Sequence, residues 1–340
     1  TARPDLRQRS LSQAIAVAIS VSISGALMLG LQIALPGKAH AQIFPASIQP
    51  SSLDGSNGFV INGEAEGDAS GFSVSAAGDQ DGDGVDDLLI GAPVADPNGS
   101  SSGRSYVVFG TDHGLPNPFQ LSSLDGSNGF VLNGESQDDY SGFSVSGAGD
   151  VNGDGIDDLI IGATRASPNG IFSGRSYVVF GSAADLPNPF ELSSLDGSNG
   201  FVLNGEAQYD NAGRAVSGAG DINGDGINDL IIGALGANAN GQSSGRTYVV
   251  FGNGAGMPAV LELSSLNGTS GFVLNGEAEG DFSGRSLSAA GDINGDGMDD
   301  LIIGADGAAP TGGFSGRSYV VFGASAGRPN PFELSTLNGS

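Results

Sequence analysis

A segment of 71 residues recurs along most of the chain, and this repeat constrains the fold more than any other feature of the sequence. The motif Ser-Ser-Leu-Asp-Gly-Ser-Asn-Gly-Phe-Val begins at Ser51 and returns, with small changes in the last copies, at Ser122, Ser193, Ser264 and Ser335. We therefore divide the chain into repeats at 51–121, 122–192, 193–263 and 264–334, with the start of a fifth repeat at 335–340. Such a constant period without insertions is typical of an array of equivalent structural units.

Each repeat predicts four short strands. In the first repeat these are 58–62, the alternating segment 71–76, the continuously apolar segment 87–92 and the β-branched segment 105–109. Glycines separate these segments, and none shows helical periodicity. Four strands per unit at constant spacing indicate an all-β fold built from the four-stranded blades of a β-propeller. The alternative is a stacked β-solenoid, whose coils are usually shorter. The unit is longer than a common blade because of the Pro/Asn/Ser-rich connection at 111–128.

Composition narrows the classes of function. The chain has 38 Asp+Glu against 12 Lys+Arg, a formal net charge of −26, and no cysteine. The acidic excess argues against a nucleic-acid partner, because binding to phosphates requires a basic surface. The absence of cysteine excludes disulfides, zinc–thiolate sites and a cysteine nucleophile.

The first 41 residues differ from the rest and predict a signal peptide. Arg3, Arg7 and Arg9 precede a long apolar run, and Ala39-His40-Ala41 supplies the small-x-small pattern of a cleavage site. Residues 42–50 then form a linker. The alternative is an uncleaved membrane anchor, since the apolar run is long enough to span a bilayer. In either case the sequence predicts a secreted, extracellular or cell-surface protein, with no membrane insertion of the mature chain unless the leader is retained.

An acidic loop lies between the second and third predicted strands of every repeat. Side-chain oxygens at positions 1, 3, 5 and 9, a glycine at position 6 and a backbone carbonyl at position 7 suit a hard cation. The predicted ligands are Asp79, Asp81, Asp83, Val85 and Asp87 in the first loop; Asp150, Asn152, Asp154, Ile156 and Asp158 in the second; Asp221, Asn223, Asp225, Ile227 and Asp229 in the third; and Asp292, Asn294, Asp296, Met298 and Asp300 in the fourth. We expect one Ca²⁺ per repeat, four in this chain, in preference to magnesium. The alternative is a set of Asp/Asn-Gly turns that bind no ion.

The loops begin like an EF-hand but cannot form one. An EF-hand places a bidentate Glu at position 12 and is flanked by helices. Here position 12 is Ile90 in the first loop, and isoleucine also in the other three, within an apolar strand. Each loop therefore closes a β-hairpin.

The repeated motifs resemble the FG-GAP repeat of the integrin α-subunit. The resemblance lies in Gly71-Phe-Ser-Val-Ser-Ala-Ala-Gly-Asp79, in Asp87-Leu-Leu-Ile-Gly-Ala-Pro93 and in Tyr106-Val-Val-Phe-Gly110, and it covers all four repeats. It implies a seven-bladed propeller with calcium in the hairpin loops, at the Asp and Asn positions named above. By the family's phasing, 58–62 would be the outer strand of the final blade and would close the ring, with further blades after the fourth. The Gly-Ala-Pro motif is complete only in the first repeat, so we expect packing at the blade edges to differ from the family's.

Two other sets of polar residues recur. Asn-Gly-Glu carries Glu64, Glu135, Glu206 and Glu277, followed four residues later by Asp68, Asp139, Asp210 and Asp281. These pairs could act as catalytic acid and base, but their presence in every repeat favours a role in turns or in hydrogen bonds between blades. Ser-Gly-Arg carries Arg104, Arg175, Arg246 and Arg317, for which we expect local pairing with carboxylates rather than an anionic ligand.

The sequence predicts no catalytic site. His113 is the only histidine after residue 41, and no nucleophile-elbow motif lies near it. We therefore expect an exported, non-enzymatic adhesion or ligand-binding module that recognises a protein or glycan. The alternative is a non-catalytic propeller attached to a larger exported enzyme, such as a hydrolase.

Overall fold

The structure is a computed structural model that describes residues 49–184, 186–325 and 328–337. The predicted signal peptide and most of the linker lie outside these ranges. Within them, regular structure consists of twenty strands and five single turns of 3-10 helix. The strands are β1 (Ile61–Asn62), β2 (Ser73–Gly78), β3 (Asp87–Ala92), β4 (Arg104–Val108), β5 (Phe119–Gln120), β6 (Gly129–Asn133), β7 (Ser141–Gly149), β8 (Asp158–Ala163), β9 (Arg175–Val179), β10 (Phe190–Glu191), β11 (Gly200–Asn204), β12 (Ala215–Gly220), β13 (Asp229–Ala234), β14 (Arg246–Val250), β15 (Val260–Glu262), β16 (Gly271–Asn275), β17 (Ser286–Gly291), β18 (Asp300–Ala305), β19 (Arg317–Val321) and β20 (Phe332–Glu333). The 3-10 turns are Pro50–Ser52, Leu121–Ser123, Leu192–Ser194, Leu263–Ser265 and Leu334–Thr336. No helix in the described ranges has the length and apolar character needed to span a bilayer.

The strands form a series of blade-like sheets. In the first sheet β2, β3, β4 and β6 are antiparallel, so the outer strand β6 comes from the following repeat, as the sequence analysis predicts. The second and third sheets have the same order. The fourth contains β17, β18 and β19.

A fifth strand completes each of the first three sheets and was not predicted. The Pro/Asn/Ser-rich connection of each repeat contains a short strand, for example β10, which pairs in parallel with the outer strand β6. The isolated pair β1–β5 has the same parallel arrangement. These strands are only two or three residues long, and buried side chains such as Phe119 and Phe190 anchor them to the blade edge.

The strand bounds also correct the predictions in places. The segment 87–92 forms the strand as predicted, whereas 71–76 is displaced to Ser73–Gly78 and 105–109 to Arg104–Val108. The segment 58–62 contributes only Ile61–Asn62, which pairs with β5. It does not pair with β19, and the four described sheets do not form a closed ring. Because the sequence predicts further blades after the fourth, the completion of the final blade by 58–62 stays a prediction.

The hydrophobic core lies between consecutive sheets. One cluster joins Ile160 and Val178 of the second sheet with Ile232 and Tyr248 of the third. The continuous apolar pattern of the third predicted strand is explained by this packing, because both faces of that strand are covered by neighbouring blades.

Glycine in the Gly-Ala motif allows the blades to approach each other. A Cβ added to Gly162 would lie 2.0 Å from the carbonyl oxygen of Gly213 in the next sheet, and the equivalent distance for Gly91 is 2.1 Å. Any larger residue would therefore force adjacent inner strands apart.

Candidate metal centre

The acidic loops are organised around the carboxylate at position 1. In the first loop, Asp79 Oδ1 accepts hydrogen bonds from the backbone N–H of Gly82 (2.8 Å) and Asp83 (3.0 Å), and Asp79 Oδ2 accepts one from Gly84 (2.8 Å). Gly82 and Gly84 have φ of +75° and +89°, a backbone conformation that favours glycine. The sequence therefore folds the loop tightly around one carboxylate, and the other three loops repeat these contacts.

The first loop brings three carboxylates to one point. Asp79, Asp81 and Asp87 each offer an oxygen atom, and these atoms lie within 4.8 Å of one another. Burial raises the pKa of Asp81, and the neighbouring carboxylates of Asp83 and Asp79 raise it further. Carboxylates converging in this way suit a divalent cation, which would remove the repulsion between them.

The other three loops carry asparagine at position 3. The Asn152 side-chain oxygen accepts a hydrogen bond from the Asp154 N–H (2.8 Å), and its amide donates to Asp154 Oδ2 (3.0 Å). These loops therefore keep a side-chain oxygen at position 3 but carry one negative charge fewer than the first loop. Among the described residues, three converging carboxylates occur in the first loop alone, whereas the other three loops share its hydrogen bonds to the position 1 carboxylate.

The carboxylate at position 9 is buried at the start of the second strand of each blade. Asp158 is fully buried, and it accepts hydrogen bonds from the N–H of Val151 and of Gly181, both at 2.9 Å. Burial raises the pKa of Asp87 to about 6 and that of Asp158 and Asp229 to about 7, because desolvation disfavours the charged form. This residue therefore ties the loop to the sheet.

The sequence analysis missed the residue at position 8. Asp157 in the second loop, Asn228 in the third and Asp299 in the fourth accept a hydrogen bond from the position 1 N–H of the preceding loop. The only sequence signal is that position 8 is Asp or Asn in every repeat, including Asp86 in the first.

The recurring arginines pair locally, as predicted. Arg104 Nη1 contacts Glu64 Oε2 at 2.6 Å, and the pairs Arg175–Glu135, Arg246–Glu206 and Arg317–Glu277 repeat this contact. In each case a tyrosine hydroxyl also donates to the glutamate at 3.0 Å. These glutamates are therefore bound to arginine and tyrosine, which supports the structural role over the catalytic one.

The aspartates that follow these glutamates are mostly buried. Burial raises the pKa of Asp139 and of Asp210 to about 6. Asp210 Oδ2 accepts a hydrogen bond from the Ala207 N–H (3.2 Å), which closes a turn. His113 is highly exposed, and its Nδ1 lies 2.9 Å from Asp112 Oδ1.

Comparison with known proteins gives the family. The FG-GAP repeat family matches 70–108, 141–179, 212–250 and 283–321. The chain is 29% identical to integrin alpha-5 of Xenopus laevis over 272 residues, which is 77% of this chain and 22% of that protein. It is 30% identical to integrin alpha pat-2 of Caenorhabditis elegans, over 71% of this chain and 18% of that protein. It is also 31% identical to phosphatidylinositol-glycan-specific phospholipase D of Rattus norvegicus, over 63% of this chain and 24% of that protein.

The chain thus spans less than a quarter of the length of each of these relatives. The four family matches cover the inner three strands of every blade and the acidic loop between the first two of them. The chain is therefore an FG-GAP repeat protein, with β-propeller blades similar to those of integrin α-subunits.

Proposed function

We propose that this chain is a calcium-binding β-propeller that acts outside the cell as an adhesion or ligand-binding module. The observation that carries the proposal is the first loop, where three carboxylates converge and the position 1 carboxylate is fixed by three N–H donors. Each of the four loops would hold one Ca²⁺ through its side-chain oxygens and the carbonyl at position 7. The predicted leader and the integrin relatives support a place at the cell surface or in the extracellular space.

Calcium would act mainly through stability. An ion that binds only the folded loops stabilises them by mass action, by about 2.7 kcal/mol per site at a free concentration 100 times Kd. Extracellular modules usually bind calcium with Kd of ~10⁻⁴ to 10⁻³ M. We therefore expect millimolar calcium to raise Tm and excess EDTA to lower it.

The experiment compares calorimetric melts in calcium and in EDTA for the unaltered chain, Asp81→Ala and Asp86→Ala. Both substitutions remove one charge from the same loop, but only Asp81 belongs to the converging group. Asp81→Ala should reduce the calcium-dependent rise in Tm, and Asp86→Ala should keep it. An equal melt in calcium and EDTA for the unaltered chain, with no metal found by elemental analysis, would refute calcium binding.

A strip of exposed and half-buried aromatic and arginine side chains supports the ligand-binding part of the proposal. Phe72, Phe143, Arg214 and Arg285 occupy equivalent positions at the start of successive inner strands, at the opposite end from the loops. The rings of Phe72 and Phe143 lie 4.8 Å apart, and the Arg214 guanidinium lies 4.5 Å from the Phe143 ring. Phe72 is 54% exposed. Aromatic residues and arginine are enriched at protein interfaces.

Screening the chain against panels of extracellular proteins and glycans tests this assignment. Binding that is lost in Arg214→Ala and kept in His113→Ala supports the strip as the binding surface. His113 is the control because it is highly exposed and follows β4 at the loop end of the first blade, away from the strip. Binding that Arg214→Ala leaves intact would place the ligand elsewhere.

The alternative is a non-catalytic propeller within a larger exported enzyme. The similarity to phosphatidylinositol-glycan-specific phospholipase D favours it. The complete sequence of the protein distinguishes the two, because a catalytic domain next to the repeats supports the alternative and an adhesion or anchor domain supports the module.

A further inference from the structure

Neighbouring acidic loops contact each other through one residue that is not itself in the predicted ligand set. The position 8 residue of each loop reaches back to position 1 of the preceding loop. Asp157 Oδ2 accepts a hydrogen bond from the Asp79 N–H at 3.1 Å, and the Asp157 N–H donates to the Asp79 carbonyl at 3.3 Å. Both polar groups of the Asp79 backbone are thus held by the second loop.

The contact repeats wherever the structure describes a following blade. Asn228 makes the same two hydrogen bonds to Asp150, both at 3.1 Å. Asp299 makes them to Asp221, at 2.9 and 3.0 Å. The side chain varies between Asp and Asn while the geometry stays the same, so the contact depends on an acceptor oxygen and not on charge.

Position 2 of each loop adds to this junction. The carbonyl of Gln80 accepts a hydrogen bond from the Ser182 N–H at 2.9 Å, and the next two loops repeat that bond at the same distance. The side chains of Gln80, Val151 and Ile222 are at most 2% exposed, whereas the equivalent Ile293 of the fourth loop is 57% exposed. The start of a loop is therefore buried only where the next loop covers it.

The glycine before each loop is explained by the same contact. A Cβ on Gly78 would lie 2.2 Å from Asp157 Oδ2, and one on Gly220 would lie 2.0 Å from Asp299 Oδ2. The equivalent Gly291, after which the structure describes no blade, has no atom within 4 Å of such a Cβ. All three have positive φ, and the atoms that a Cβ on Gly78 or Gly220 would meet belong to the position 8 side chain of the next loop.

We propose that Asp157, Asn228 and Asp299 are positioning residues that couple each cation loop to the one before it. Position 8 lies between two predicted ligands of its own loop, the carbonyl at position 7 and the carboxylate at position 9. An ion in that loop fixes the backbone of position 8, and position 8 fixes the first ligand of the preceding loop. This inference rests on the proposed calcium binding. Because coupling between two sites is reciprocal, calcium in either loop raises the affinity of the other.

Site-resolved calcium titration of the whole chain tests the coupling. The amide signals of Gly84 and Gly155, which donate to the position 1 carboxylates, report the first and second loops by NMR. Asp157→Ala should weaken calcium binding by the first loop about tenfold, which corresponds to ~1.4 kcal/mol and is the order of the net contribution of one hydrogen bond. Asp157→Asn should retain the affinity, because Asn228 of the third loop makes the same hydrogen bond to Asp150. Asp86→Ala is the matched control, because the structure describes no loop before the first.

A second readout needs no metal. In calcium-free protein, amide hydrogen exchange at Asp79 should accelerate in Asp157→Ala and stay unchanged in Asp86→Ala. Gly220→Ala should weaken calcium binding by the third loop more than Gly291→Ala weakens binding by the fourth, because both share the strain of positive φ and only Gly220 meets Asp299.

The outcomes separate this inference from the proposed function. Suppose that the unaltered chain binds calcium, and that Asp157→Ala changes neither the calcium affinity of the first loop nor the amide exchange of Asp79. The proposed coupling between loops is then wrong, while the proposed calcium binding is retained. If no loop of the unaltered chain binds calcium, the proposed function fails together with the coupling, and the exchange experiment still decides whether Asp157 holds Asp79.

Discussion

Replacing Arg175 by methionine should destabilise the propeller, because this arginine holds together a partly buried network at the outer edge of the second blade. Its Nη1 contacts Glu135, and its Nε donates to Asn204 Oδ1 at 2.9 Å. Asn204 in turn donates to Glu262 at 2.7 Å. The Arg175 and Glu135 side chains are 19% and 31% exposed, so the pair is neither fully solvated nor fully buried.

The loss of stability can be worked out from the groups that Arg175→Met leaves without a partner. Asn204 is 7% exposed and would lose the donor to its side-chain oxygen, which costs about 1–3 kcal/mol. Losing a half-buried ion pair adds less than the roughly 3–5 kcal/mol of a fully buried one. We therefore expect Arg175→Met to lower the free energy of unfolding by about 2.5 kcal/mol in total. With an unfolding entropy of about 2.1 cal/mol/K per residue and about 290 residues in the folded unit 49–340, this lowers Tm by about 4 °C.

Calorimetry in millimolar calcium measures the shift, and Arg165→Met is the matched control. Arg165 is exposed and lies over the Tyr140 ring at 4.3 Å, with no ion pair among the described contacts, so its replacement should change Tm by less than about 1 °C. Arg104→Met should reproduce the effect of Arg175→Met, because the first blade has the same network. Equal melting temperatures for Arg175→Met and Arg165→Met would show that the network does not contribute to stability.

Three further predictions concern other parts of the repeat. Gly162→Ala should lower Tm far more than Gly304→Ala. The Cβ of the first variant would lie 2.0 Å from a backbone oxygen of the next blade, whereas that of the second would meet only a serine side chain at 2.2 Å. Equal shifts in Tm would contradict close packing between blades. The first loop should bind calcium most tightly, because it carries four carboxylates where each of the others has three, and Asp81→Asn should reduce its affinity to theirs. Calorimetric titration that finds the first loop weaker before substitution would contradict this. Asp139→Asn should stabilise the chain at pH 7.5 by roughly 2 kcal/mol, because a carboxyl whose pKa is raised from 3.8 to about 6 contributes its full stability below pH 3.8 and loses it as the pH rises through 6. Melts of both proteins from pH 3 to 8 should therefore diverge between about pH 4 and pH 6 and keep a constant difference in Tm above pH 6. Curves that stay parallel over the whole range would count against the raised pKa.

Local patterns in the sequence predicted much of the blade because they depend on contacts within one repeat. The apolar run 87–92 is long enough to identify a strand covered on both faces, and the loop before it is fixed by hydrogen bonds within nine residues. The strand β5 has no such signal. Phe119 and Gln120 pair with residues 58 positions earlier in the chain, and only tertiary packing selects two residues from a Pro- and Asn-rich connection.

The contacts between loops could not be predicted from the sequence for a related reason. Position 8 and position 1 of adjacent loops are 78 residues apart, and their contact requires knowing which face of one blade meets the next. The repeated Asp or Asn at position 8 was visible in the sequence, but it looked like one more acidic loop residue. The conformation of Gly78 is typical of a turn, and only the structure shows that the side chain of Asp157 occupies the space beside it.

The two ends of each blade are held by different chemistry, and this predicts what calcium removal will do. Along β8, Asp158 lies at the loop end, while Ala163 at the other end pairs with Arg175 of the Arg–Glu network. At about 3.3 Å per residue these ends are roughly 17 Å apart. The loop end carries converging carboxylates that repel one another without a cation, whereas the other end already pairs each glutamate with an arginine. Chelation should therefore increase amide exchange in the loops and at position 1 while Asn204 at the far end stays protected. If protection at Asn204 is lost together with that of the loops, the network and the apolar core between blades do not hold the sheet without calcium, and the ions are required for the fold as a whole.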